Sequence, residues 1–126
     1  MRYLTLLLLF SIYSFSQNNA EKIVQTQFDA YNKQDIETFV ATYADDVEIF
    51  EFGQEKPYLV GKEELRKSYA SFFKTNPTNR ATLLERIIQG NYVIDNEKVT
   101  SDKYNFTGTA IYLIDNNLIK KVWFIH

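Results

Sequence analysis

The sequence of 126 residues has no cysteine, one histidine, one tryptophan, two prolines and four glycines. Without cysteine there is no disulfide framework, no thiolate metal site, no cysteine nucleophile and no lipoprotein anchor. The one histidine is the last residue, His126. No histidine metal cluster or Ser/His/Asp relay can be assembled from it, and a frayed terminus is its expected state. Four scattered glycines form no phosphate-cradling loop, and no dinucleotide fingerprint follows a strand. No cofactor and no metal is therefore implied. An excess of one charge is lacking too: 16 acidic residues face 14 basic ones, with neither sign gathered into a run. That leaves no electrostatic footprint for nucleic acid or an anionic membrane surface. No linker of Pro, Gly or Ser divides the chain, and no internal repeat is visible, so one domain is expected.

What is present begins with a leader. Arg2 supplies a positive start, Leu4 to Ile12 an apolar run, and Ser14 and Ser16 small residues before the polar Gln17-Asn18-Asn19. This pattern predicts a cleavable signal peptide over 1–16, a domain over 17–126 and an exported protein, periplasmic or secreted. The apolar run is about half the roughly 20 residues of a membrane span, so no membrane anchor is expected after cleavage. The remaining chain of about 110 residues can bury roughly two thirds of its unfolded surface and hold one core without staples.

From Ala20, Val24, Phe28 and Tyr31 recur at helical spacing, predicting a first helix. Asp35 is placed to cap a second, whose apolar stripe is Ile36, Phe39, Val40 and Tyr43. A strand is expected at Val47 to Phe52, a turn at Gly53 and a shorter extended piece at Pro57 to Val60. Gly61 opens a third helix bearing Leu65, Tyr69, Phe72 and Phe73, and Asn76-Pro77 stops it. The rest reads as an antiparallel meander: Ala81 to Gln89, a Gly90-Asn91 turn, Tyr92 to Thr100, Phe106 to Asp115, an Asn116-Asn117 turn, and Leu118 to Ile125. On the last strand, simple alternation puts Ile119, Trp123 and Ile125 on one face and Leu118, Val122 and Phe124 on the other. A sheet apolar on both faces is usually covered on both, which predicts helices on one side and a second subunit on part of the other.

This order of elements, with Tyr43-Ala44-Asp45-Asp46-Val47-Glu48-Ile49 after the second helix, resembles the nuclear transport factor 2-like superfamily and its SnoaL-like members. Three further stretches resemble bacterial steroid isomerase-like members: Leu59 to Leu65, Gly90 to Asp95 and Ile119 to Ile125. The likeness spans nearly all of 20–126. It implies an α+β cone, three N-terminal helices against a curved, mostly antiparallel sheet, with a pocket opening into its interior and frequent dimers. Function across such a fold ranges from isomerase and cyclase through dehydratase and hydrolase to binding alone, so the fold does not choose one.

Glu51 is the candidate catalytic residue. It shares a strand face with Val47 and Ile49, and the resemblance sets it at the position of the general-base aspartate of ketosteroid isomerases. Desolvation there would raise its pKa toward the working range of a base. The positions of those enzymes' oxyanion donors hold Gln27 and Ala110, and Ala110 has no side-chain donor, which argues against ketosteroid isomerase activity itself. Asp45 and Asp46, at the corner between helix and strand, are expected to satisfy backbone amides. Pocket-lining candidates are Tyr31, Tyr43, Tyr58, Tyr69, Phe73, Tyr112 and Trp123, apolar bodies with polar tips in several cases, with Gln27 and Arg86 as polar members. The expected function is binding of a small apolar or cyclic ligand. The alternatives are a cofactor-free isomerase-like or hydratase-like enzyme with Glu51 as base, and a dimeric protein-interaction domain.

Overall fold

The computed structural model describes residues 19–126; the leader assigned to 1–16 lies outside them. Helix α1 occupies 19–33 and α2 Ile36–Ala41. Strand β1 follows at Tyr43–Glu51, β2 at Leu59–Val60, and α3 at Lys62–Thr75. The meander comprises β3 (Arg80–Gln89), β4 (Tyr92–Thr100), β5 (Asn105–Asp115) and β6 (Leu118–Ile125). The expected α+β fold is found, with β4 and β6 at the expected bounds and three helices ahead of the meander.

Asp35 caps α2 as its spacing predicts: its carboxylate accepts from the Thr38 amide at 3.2 Å and the Thr38 hydroxyl at 2.7 Å. The helix is shorter than its apolar stripe. Thr42 turns its hydroxyl back to the Phe39 carbonyl, and Tyr43 opens β1 instead of continuing the helix. Because residues 39 and 43 would share a helix face, an inward Tyr43 fits either reading; its ring still packs on Phe39, 5.1 Å between centroids.

The six strands run in the order β2-β1-β6-β5-β4-β3, antiparallel except for the parallel β1–β6 pair. The Asn116-Asn117 turn has φ of 50° and 62°, the left-handed pair that matches a two-residue hairpin to strand twist. Two bulges bend the meander, and a further register shift falls between Tyr43 and Glu48 of β1. In β3, Leu83 pairs with Glu97 and Glu85 with Asn96, leaving Leu84 extra. In β6, Lys121 faces Leu113 and Ile119 faces Ile114, leaving Lys120 extra.

The second bulge corrects the alternation expected for β6. One extra residue flips all that follows, so Ile119 joins Val122 and Phe124 on the helix side, while Trp123 goes to the outer side. Ile119 and Val122 are fully buried with Val24, Phe39, Val40, Val47, Ile49, Leu65 and Val93. An aromatic cluster of Tyr31, Phe39, Tyr69, Phe72 and Phe73 joins the helices to each other. Its shortest ring separation is 4.6 Å, between Phe39 and Tyr69. No helix among the described residues is long and apolar enough to cross a membrane.

Candidate functional site

The inward face of the meander is read from its register. Val93 faces Tyr112, Asp95 faces Ala110, Glu97 faces Gly108, and Val99 faces Phe106, so this row points toward the helices. On β6 the row continues through Val122 opposite Tyr112 and Phe124 opposite Ala110. Two features stand out. The carboxylates Asp95 and Glu97 sit between buried valines, and opposite them β5 carries alanine and glycine. The small side chains leave space where larger neighbours would fill the core.

That space is a cavity of about 280 Å³, at the lower end of small-molecule sites. Tyr31, Tyr69 and Phe72 from the helices wall one side; Glu97, Gly108, Ala110 and Phe124 from the sheet wall the other, and Tyr58, Phe106 and His126 also line it. A Cβ on Gly108 would stand 3.3 Å from the Ile125 carbonyl oxygen and 3.9 Å from the His126 ring, so glycine lets the end of β6 close over β5 here.

The two carboxylates differ in their partners. Asp95, fully buried, receives both Nε and NH2 of Arg86, at 2.7 and 2.9 Å, and Arg86 spends NH1 on Gln25 at 2.8 Å. This fork pairs Asp95 with a counter-charge and, with Gln25, engages three of the guanidinium's five N–H donors. Glu97 receives no hydrogen bond or ion pair from the described residues. Burial above all, then the charge of Asp95, pushes its pKa from 4.5 up to about 7, with Arg86 pulling the other way. Burial likewise raises the hydroxyl of Tyr31 to about 12 and that of Tyr69 well above its ordinary value, so both remain protonated donors.

The expected site residues divide. Tyr31, Tyr58 and Tyr69 line the cavity. Tyr43, Phe73 and Tyr112 are buried in the core behind it, and Arg86 is committed to Asp95. Gln27 donates to the Tyr43 hydroxyl at 3.1 Å and leaves its Oε1 buried without a partner. Trp123 is on the opposite side of the sheet, stacked on Phe50 at 5.7 Å and near Tyr92, because of the Lys120 bulge. Glu51 does face inward, opposite Phe124, but as the last residue of β1 it lies at the rim with its side chain 49% exposed. Its partner is His126 at 3.3 Å. His126 itself stacks near Phe124, 6.2 Å between centroids, in place of the frayed end expected of it. Asp45 and Asp46 meet Lys62 and Lys120 as exposed ion pairs, which differs from the backbone role expected for them.

Sequence reasoning missed Glu97. The available signal was strict alternation on β4: Val93, Asp95, Glu97 and Val99 share one face, so two acids lie in an apolar row. No group of three or more His, Cys, Asp or Glu side chains among the described residues is arranged to hold a metal ion.

The comparisons agree with this architecture. A family model described as a SnoaL-like domain matches residues 24–122. Among solved structures, an uncharacterized cystatin-fold protein from Novosphingobium aromaticivorans is similar at 28% identity and a TM-score of 0.78, over 86% of this chain and 97% of that one. A SnoaL-like protein of unknown function from Burkholderia thailandensis is 16% identical with a TM-score of 0.73, over 86% and 94%. A protein from Kribbella flavida provisionally named a ketosteroid isomerase is 17% identical with a TM-score of 0.73, over 86% and 78%. Likeness of the last two kinds is likeness of fold. No curated protein matches the chain. With the family match spanning both the helices and the sheet that enclose the cavity, this chain belongs to the SnoaL-like domain family, within the nuclear transport factor 2-like superfamily.

Proposed function

We propose that this protein is an exported binding domain that holds a small, largely apolar, ring-bearing molecule inside the cone. The observation that carries the reading is the cavity of about 280 Å³, walled by aromatic rings on the helix side and floored by Gly108 and Ala110 on the sheet side. Apolar walls with few polar groups are the usual make-up of such sites. The leader pattern of residues 1–16 supports export.

The test is occlusion. Ser68 lines the cavity from α3 and is itself exposed, so Ser68→Phe adds a ring at the opening without touching the core. Titration of a neutral naphthalene alcohol, followed by Trp and Tyr fluorescence, should show saturable binding to the wild type and at least tenfold weaker binding to Ser68→Phe, with unchanged melting temperature. Equal affinity of the two proteins would remove the cavity as the site. Native mass spectrometry of the freshly purified protein would identify any small molecule carried with it.

A second reading, cofactor-free proton transfer, is favoured by Glu97, whose pKa near 7 suits a general acid or base. Glu51 remains the rim candidate for the same role, but half-exposure and its His126 partner leave it without the desolvation a base of this type uses. If the domain is catalytic on such a compound, Glu97→Gln should abolish turnover while keeping ligand, and Glu51→Gln should lower it by less.

A further inference from the structure

Glu97 is a half-buried acid facing the cavity, with no counter-charge of its own. The one guanidinium near it is taken up by Asp95 and Gln25. The described groups that bear on it from the packed elements are Tyr31 of α1, Tyr43 of β1, Tyr69 of α3, Arg86 of β3, Asp95 of β4 and Tyr112 of β5. Five of these are acids, and the sixth is already paired. Tyr58 and His126 complete the ionisable lining of the cavity, and His126 faces Glu51. A carboxylate taken out of water is costly unless it is paired, and the protein supplies no pair. Opposite Glu97 stands Gly108, the one inward position with no side chain, so the space beside the carboxyl is kept open. Around that space are the rings of Tyr31, Tyr69, Phe72, Phe106 and Phe124, whose faces attract positive charge.

We propose that the cavity takes a small organic cation, a protonated amine carried on an apolar ring system, with Glu97 as its counter-ion and the surrounding rings as its cage. The proposal rests on the reading of the cavity as a ligand site and adds the ligand's charge. It also gives the sign of the pH dependence. A cation binds the ionised carboxylate, so its affinity rises as pH passes upward through about 7, until the amine itself loses its proton. A neutral carbonyl compound would prefer the protonated acid and show the opposite slope.

The experiment compares 1-naphthylmethylamine with 1-naphthylmethanol, alike in shape and different in charge, by calorimetry from pH 5.5 to 8.5. The expected result is that the amine binds at least tenfold tighter than the alcohol at pH 8, and that this ratio shrinks toward one at pH 5.5. In Glu97→Gln, checked for folding by circular dichroism, the preference for the amine should vanish while the alcohol still binds. The wild-type pH series stands without that variant. Equal affinities at pH 8, or an amine affinity that falls as pH rises through 7, overturn the cation assignment and leave the binding reading in place. Failure of both compounds to bind at millimolar concentration overturns the binding reading and the cation assignment together.

Discussion

Ionising a lone carboxyl among aromatic rings opposes folding, and Glu97 makes this measurable. Its folded pKa of about 7 is above its unfolded value of 4.5. Below pH 4.5 both states hold the proton and there is no penalty. Between pH 4.5 and 7 the unfolded chain releases the proton first, so stability falls as pH rises, and above 7 the whole penalty is present. Glu97→Gln should therefore leave stability unchanged at pH 4 and raise it at pH 8, by on the order of 1–3 kcal/mol in urea denaturation. Asp95 differs in being paired. Arg86→Ala would leave a fully buried carboxylate without its fork and should cost about 3–5 kcal/mol at neutral pH. The two acids are two residues apart on one strand face, and they differ in partners and in burial, Asp95 being fully buried and Glu97 half-buried.

Legibility in the sequence varied with the element. Strands β4 and β6 and both hairpin turns could be read from turn residues and β-rich runs because those signals are local. The end of α2 was not legible, since Tyr43 satisfies a helical stripe and a strand equally and the choice is made by pairing with Ile119 on β6. The facing of Trp123 was hidden for a similar reason: Lys120 is an ordinary residue in sequence and a bulge only in register with β5. Of the site, Tyr31, Tyr58 and Tyr69 were legible as aromatics on the right elements. Glu97 is harder to read than Glu51, because desolvation depends on enclosure by elements distant in the chain. The bulge can be tested directly. Deleting Lys120 turns the bulge into regular pairing and keeps Ile119 and Val122 on one face, so the variant should retain near-ultraviolet dichroism and cooperative melting. Loss of the cooperative transition would show instead that the sheet needs the bend made by the bulge and not only the facing of these residues.

At the scale of the molecule, the face of the sheet away from the helices is continuous. Ile87 pairs with Ile94, Ile94 with Ile111, Ile111 with Trp123, and Trp123 with Phe50, an apolar row across five strands. Ile87 is 53% exposed at one end of it, with Leu84 and Tyr92 nearby. We propose that a second copy of the chain covers this row, as the two-sided apolar pattern of the sequence led us to expect. Light scattering at micromolar concentration should give a dimer for the wild type and a monomer for Ile87→Glu, each still folded. A monomeric wild type would remove the proposal.

Gly108 links these scales, since it contributes to the sheet only through its backbone. Strand pairing with Glu97 does not depend on what stands at 108, so the volume beside the carboxyl can be changed without altering the register of β4 and β5. A single methyl there meets the Ile125 carbonyl at 3.3 Å and would have to push the end of β6 outward by a few tenths of an ångström, tilting His126 with it. The position therefore acts as a gauge. Designers seeking a different guest for this scaffold can alter capacity one carbon at a time at 108 and 110, and set polarity separately at 97.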